Sequence, residues 1–546
     1  MAATLTSSMS PAGSARASTD PGAGRHRAIL AAVCLSLALV VAGVAMLNVA
    51  LPTMTRALGA SQTDQQWIVD GYTVALAALL LFAGALGDRF GRRRALVVGL
   101  TLFAAANAVS AFTNSAGALI VWRVLAGVGA ALIMPATLST ITSVFPPERR
   151  ATAVGVWAGI AGAGGMIGLL VAGAMLEQWW WGSIFVITAV LGAVALVATL
   201  VMVPETRSSH VVRLDPPGAL LSIAAVGGLV FGIIEGPSRG WTDPLTLVAL
   251  LGGALAGLLF VRGELRSPAP LLDPRLFRKH GFATGSASLF LQFFALFGFF
   301  FVALQFLQLV LGYSTLLSAV ALLPAIAVML PLSTVAATLS ERYGQRIVGT
   351  AGLLVAAAGF AVLASMSAGS GYGLFVVGLV LTSAGASLAM TPATNAILGS
   401  LPRAKQGVAS AVNDTARELG SAFGIAILGS AFNSAYRGRI AGSLQGLPAP
   451  VATAAHEAPA AAFAAAQQAG AAGQGLATAA RDAFMAGSRA AMLIGMALLL
   501  VGAVYVALRG NHATADKPAV DDVHDEADQA ALAVPLEAAV TQGHGR

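Results

Sequence analysis

The chain has 546 residues, 57% of them hydrophobic and only 10% charged. A soluble globular chain carries about a quarter charged residues, so this composition, with a mean hydropathy of +0.80, excludes an ordinary water-soluble domain and indicates a membrane protein. The formal net charge of +7 does not imply a nucleic-acid partner, because the bases sit in short segments between apolar stretches and not in one tail or patch.

In chain order, residues 1–27 are rich in Ser, Ala and Gly, carry Arg16, Arg25 and Arg27, and read as a disordered cytoplasmic leader. A helix crosses the hydrocarbon with roughly 20 apolar residues. Fourteen such stretches follow, near 28–50, 65–86, 95–113, 116–142, 151–176, 181–203, 216–235, 244–262, 283–311, 315–339, 346–366, 372–400, 407–434 and 484–508. The first holds the single cysteine, Cys34, which excludes an internal disulfide and reads as a small buried apolar residue.

The bases test this topology. With a cytoplasmic N-terminus, inside segments carry Arg89, Arg92, Arg93, Arg94, Arg149, Arg150, Arg207, Arg213, Arg262, Arg266, Arg275, Arg278, Lys279, Arg342, Arg346, Arg403 and Lys405, whereas short outside segments carry only Arg56 and Arg239. That alternation follows the positive-inside rule. Residues 435–483 then form one long outside loop, and the acidic tail 509–546 is cytoplasmic and disordered.

The chain also repeats itself. "GALGDRFGRRRAL" (84–96) and "ATLSERYGQRIV" (337–348) share an acid, Arg, an aromatic, Gly and Arg in register, with Asp88 and Glu341 offset by 253 residues. "MPATLSTITSVFPPERR" and "MTPATNAILGSLPRAKQ" match with Pro135 and Pro392 offset by 257. The expected architecture is all-α: two six-helix pseudo-repeats, 28–203 and 283–508, with an inserted helix pair and cytoplasmic linker at 204–282. Such repeats place a substrate site between the halves near mid-membrane.

"GALGDRFGRRRAL" resembles the signature loop of the major facilitator superfamily. With fourteen spans, "WIVDGYTVALAALLLFAGALGDRFGRR" (67–93), "LDPRLFR" (272–278) and "GVASAVNDTARELGSAFGIAILGSAF" (407–432) resemble its drug:proton antiporters, nearest to quaternary-ammonium, dye and actinobacterial antibiotic exporters. The resemblance implies a proton-coupled secondary transporter that exports drugs, lipophilic cations or antibiotics across the bacterial plasma membrane. An exporter dedicated to one natural product, and a proton-coupled importer, are the alternatives. The expected partners are small molecules and protons within membrane lipid. No phosphate-binding, nucleophile or metal-ligand motif occurs, so no enzyme activity and no metal or other cofactor is expected. The bases put both termini in the cytoplasm, and the oligomeric state is left open, with a monomer favoured.

The signature loop offers Gly84, Asp88, Arg89, Gly91, Arg92 and Arg93 as a conformational latch, read alternatively as solvated topology determinants. Gly84 and Gly91 suit close approach and a tight turn. Charges inside a span cost about 2.5–3.5 kcal/mol each on insertion scales, so each needs a reason. Asp70, Arg123, Asp414, Arg417 and Glu418 qualify. Asp70 reads as a proton or cation partner, or as a wetted vestibule charge. Arg123, in "LIVWRVLAGVGAA", resembles the family's conserved-arginine motif, linked there to proton transfer, and reads alternatively as a structural partner of backbone carbonyls or a neighbouring acid. Asp414 and Glu418 are four residues apart on one helix face, and close carboxylates disfavour joint ionisation, which suits exchange of a proton for a cation. Arg417 could instead tie Asp414 into an inert ion pair. The fifth span lacks the proline of the family's antiporter motif, having Gly168-Leu169 and then Ala172-Gly173.

Overall fold

The structure, a computed structural model, describes residues 21–60, 62–206, 215–268, 270–402, 405–445 and 447–510. The first 20 residues of the expected leader, the tail from 511, and Arg207, Arg213 and Arg403 lie outside the described residues.

The described residues fold into helices and short connections. In lipid every backbone N–H and C=O must be satisfied internally, and the helix does this within one segment. The first six helices are α1 (Pro21–Leu58), α2 (Gln62–Phe90), α3 (Arg92–Ser110), α4 (Ala116–Val144), α5 (Pro147–Gln178) and α6 (Ser183–Met202). A pair follows, α7 (Pro216–Arg239) and α8 (Pro244–Glu264). The rest are α9 (His280–Gln305), α10 (Thr315–Ala321), α11 (Leu323–Tyr343), α12 (Gln345–Ala364), α13 (Tyr372–Leu398), α14 (Gln406–Ile440), α15 (Ala449–Glu457), α16 (Pro459–Gln468) and α17 (Gln474–Arg509).

Local chemistry sets many of the starts. Ser115 accepts from the Ala118 amide, Asp215 from Gly218, Asp243 from Leu245 and Thr246, and Ser314 from Leu317. Each supplies an acceptor to an amide that the first turn leaves unpaired. The α10–α11 break precedes Pro324, which has no N–H to continue the ladder.

Every predicted span coincides with a helix and overruns its ends by no more than three residues, except that 283–311 runs on from α9 through a π-helical turn (Phe306–Val310) and 315–339 lies across α10 and α11. Among the described residues, twelve helical segments are long and apolar enough to cross a membrane. The two predicted spans outside that set are α3, which opens on Arg92, Arg93 and Arg94, and α14, which carries Asp414, Arg417 and Glu418 along its length.

The helices pack as two bundles. In the first, α1 lies against α5 and α6, α2 against α4, and α3 against α4 and α6. In the second, α9 lies against α14 and α17, α11 against α13, and α12 against α13 and α17. The bundles meet along a seam where α2 and α4 face α14 and α5 faces α11 and α13. The α7–α8 pair covers one side of this seam: Val226 and Val230 of α7 pack with Ala77 of α2, while Ile233 packs with Ala422 and Ala426 of α14.

Residues 435–483, expected as a loop, are largely helical. α14 continues to Ile440, α15 and α16 follow, and α17 begins at Gln474. The alanine-rich sequence is a strong helix former, and Tyr436, Ile440, Ala455, Ala462, Ala480 and Ala483 make a small core there. The Tyr436 hydroxyl donates to the Ala455 carbonyl at 2.8 Å.

Candidate functional site: charges at the seam

Asp88 ends the seam on one side. Its residue is 1% exposed, on the last turn of α2. The carboxylate accepts from Arg92 at 2.9 Å, from the Gly407 amide at 3.0 and 2.8 Å through its two oxygens, and from the Val408 amide at 3.3 Å. Gly407 and Val408 lie in the first turn of α14, whose free amides and dipole favour an anion. No side chain of its own N-cap, Lys405, serves this helix; Asp88 of the other bundle does.

Glycines make that approach possible. A Cβ on Gly84 would stand 2.5 Å from the Gly407 carbonyl oxygen and 2.8 Å from the Ala411 Cβ, and one on Gly407 would stand 2.7 Å from the Asp88 Cγ. Gly91, with φ 111°, turns the chain from α2 into α3. Of the other predicted latch residues, Arg92 is buried with Asp88, Arg93 donates to the Leu200 carbonyl at 2.5 Å, and Arg89 is exposed beside the Phe90 ring. Arg93 is therefore engaged within the first bundle, and Arg94 meets Glu205 at 3.6 Å.

From the Asp88–Gly407 level, charges climb the seam. At about 1.5 Å per residue, Asp414 stands roughly 10 Å and Glu418 roughly 16 Å along α14, and Asp70 roughly 27 Å along α2. Asp70, Ala77 and Gly84 recur every seven residues, about two helical turns, so they share one face of α2, which at Ala77 packs on Val226 and Val230 of α7 with Leu419 of α14 beside them.

Asp414 and Arg417 are 0% and 3% exposed. Arg417 Nη1 donates to Asp414 Oδ1 at 3.3 Å, and Asn413 Nδ2 donates to the same oxygen at 3.2 Å. Asp414 Oδ2 and Arg417 Nε have no hydrogen-bond partner among the described residues, nor do Ser410 Oγ and Asn413 Oδ1. The guanidinium carbon lies over two rings, Phe293 of α9 at 4.6 Å and Trp157 of α5 at 5.2 Å. Glu418 is half-buried one turn beyond Asp414. With both acids ionised, this stretch carries two negative charges against one positive, leaving room for one proton or one cationic ligand.

Arg123 of α4 is 2% exposed. Its Nε donates to the Ile68 carbonyl at 3.0 Å, and its guanidinium lies 4.4 Å over the Tyr72 ring. Tyr72 donates to the Val40 carbonyl at 3.0 Å and lies within electrostatic reach of Glu418. Arg123 therefore sits behind α2 and is joined to the seam through Tyr72. Asp70 is half-buried, and the charge within its electrostatic reach is Glu235 of α7. Glu235 is 2% exposed and ion-paired to Arg239.

The structure thus pairs Asp414 with Arg417 and keeps Glu418 beside them, while Asp70 and Arg123 stand further along. Sequence reasoning missed Glu235, although it is a charge at the end of a predicted span. It also missed Trp157 and its partner Thr137, which carry no signal from charge or spacing.

The family model described as Major Facilitator Superfamily matches residues 33–425. The chain is 33% identical over 402 residues to the multidrug resistance protein Stp of Mycobacterium tuberculosis (strain CDC 1551 / Oshkosh), covering 73% of this chain and 75% of that one. It is 32% identical over 420 residues to the tetracenomycin C resistance and export protein of Streptomyces glaucescens, covering 77% of this chain and 78% of the relative. The human organic anion transporter MFSD10 has a similar fold, with a TM-score of 0.60 at 14% identity over 88% of this chain and 99% of that one. On the extent of the family match and of these relatives, the chain belongs to the major facilitator superfamily.

Proposed function

We propose that the protein expels lipophilic, drug-like molecules from a bacterial cell in exchange for protons. The observation that carries this reading is the buried Asp414–Arg417 pair with half-buried Glu418 beside it, two acids to one base at the seam between two bundles. A buried charge set is expensive in a membrane and marks a pathway. Relatives named for multidrug resistance and for antibiotic export support the same direction of transport.

In this reading all fourteen predicted stretches cross the plasma membrane, both termini are cytoplasmic, and the Asp88 end faces the cytoplasm. The two bundles are pseudo-repeats. Their matching helix pairings support this, as do Gly91 and Gly344, which lie 253 residues apart and both take positive φ at the start of the next helix. Asp88 latches the cytoplasmic side shut by holding the start of α14. Release of that contact lets the bundles rock and opens the seam to the cytoplasm. Proton entry yields about 2.3 kcal/mol per 100 mV of membrane potential, which drives the cargo outward.

The test is purified protein in vesicles with an imposed pH gradient, assayed with ethidium and with an anionic polyketide. Export of both supports a multidrug exporter. Export of the polyketide alone favours an exporter dedicated to one natural product, the reading that the tetracenomycin C relative supports. Absence of drug-dependent proton flux rules out proton exchange.

A further inference from the structure

Trp157 is fully buried, at 0% exposure. Its indole N–H donates to Thr137 Oγ1 of α4 at 3.0 Å, which fixes the ring plane within the first bundle. The ring face is turned across the seam to Arg417 of the second bundle. Arg417 therefore has three neighbours of unequal allegiance. Asp414 and Phe293 move with its own bundle, and Trp157 moves with the other.

The Arg417–Asp414 contact is single-pronged. Nη1 meets Oδ1, while Nε and Oδ2 are left without hydrogen-bond partners. A two-pronged guanidinium–carboxylate fork through Nη1 needs the neighbouring Nη2 on Oδ2, a bond that is not made here, and the fork is the stronger arrangement. A guanidinium out of water also gains from an aromatic face, so Trp157 offers an attraction that competes with completing the fork.

Resting on the exporter reading above, we propose that Trp157 is a positioning residue for proton coupling: its ring holds Arg417 short of full pairing with Asp414 while the bundles are together at the Asp88 end, and their separation lets Arg417 complete the fork. In the closed state Asp414 Oδ2 is open to carry a proton. In the parted state Arg417 takes both oxygens, the Oδ2–H bond breaks, and the proton passes to water on the opened side. The guanidinium then neutralises the carboxylate left behind. The other titratable groups along this seam include Glu418 on α14, Asp70 and Tyr72 on α2, Asp88 with Arg92 at its end, and Glu235 with Arg239 on α7, with Arg123 behind them on α4. Neither α5 between Arg150 and Glu177 nor α9 between His280 and Gln305 adds a charge.

The experiment has two arms. Purified Trp157→Leu, Arg417→Gln and the double variant are melted alongside the wild type. Coupled residues give a double variant that melts within about 1 °C of the poorer single one. Additive losses overturn the contact. If Arg417→Gln does not fold, Arg417→Lys, which keeps charge without the planar fork, completes the cycle. In vesicles, Trp157→Leu keeps substrate counterflow within about threefold and loses gradient-driven efflux by at least about tenfold, and Trp157→Phe, which keeps a ring face, recovers most of it. Unchanged efflux in Trp157→Leu, or equal loss in both variants, overturns the proposal. A wild type with no proton-driven efflux overturns the exporter reading instead, and the melting cycle still decides whether Trp157 and Arg417 are coupled.

Discussion

The Asp88 carboxylate takes the Gly407 amide hydrogen between its two oxygens, at 2.8 and 3.0 Å, across 319 residues of chain. A side chain of one bundle thereby completes the first turn of a helix in the other. Whatever parts the bundles at this end must break that cap, and whatever removes the charge weakens it.

Asp88→Asn keeps the side-chain shape and removes the anion that the α14 amides and Arg92 hold. The expected result is folded protein with transport reduced by at least about tenfold. A cysteine placed at Ala411, now fully buried, is expected to label faster from the Asp88 side. Labelling no faster than in the Asp88 protein argues against the cap as a latch.

Two glycines of α2 give a sharper contrast. Gly84→Ala drives a methyl to 2.5 Å from the Gly407 carbonyl oxygen, whereas Gly87→Ala meets only the Ala95 Cβ at an ordinary 3.7 Å. Gly84→Ala is expected to abolish transport, with Gly87→Ala near wild type in the same drug-resistance assay. Equal tolerance of the two would show that α2 and α14 do not need this closeness.

Asp70 lies on α2 in electrostatic reach of Glu235 of α7. Asp70→Asn is expected to impair export of cations more than export of neutral substrates, read as separate inhibitory concentrations in a pump-deficient host. Equal impairment of both classes would remove its role as a cation partner.

The helical segment beyond the membrane helices is a stability element in this structure. Tyr436→Phe removes the hydrogen bond to the Ala455 carbonyl and leaves that buried acceptor without its partner. The expected cost is about 1 kcal/mol, seen as a lower melting temperature, with transport unchanged. A loss of transport at full thermal stability would assign this segment a functional part.

Much of this was legible in the sequence because lipid imposes a coarse and strict rule. A run of roughly 20 apolar residues is visible in one dimension, and each predicted stretch is centred on helical chain. Helix ends were less legible. α1 begins at Pro21 and α14 runs on to Ile440, because helix outside the hydrocarbon leaves no hydropathy signal. The Asp414–Arg417 pair follows from a spacing of three. The partner of Asp88 does not, since Gly407 and Val408 contribute amides, which every residue but proline has. Trp157 was hidden for a related reason: an aromatic residue in an apolar helix looks like core until a charge from another bundle is found on its face.

Exchange of a proton for cargo at Asp414 and Glu418 is the central claim. Its most direct test is substrate-induced proton movement in vesicles containing the wild type, Asp414→Asn or Glu418→Gln, with substrate binding measured on the same preparations. Proton release on drug binding in the wild type, lost in at least one variant that still binds drug, is the predicted result. Proton movement undiminished in both variants would contradict it.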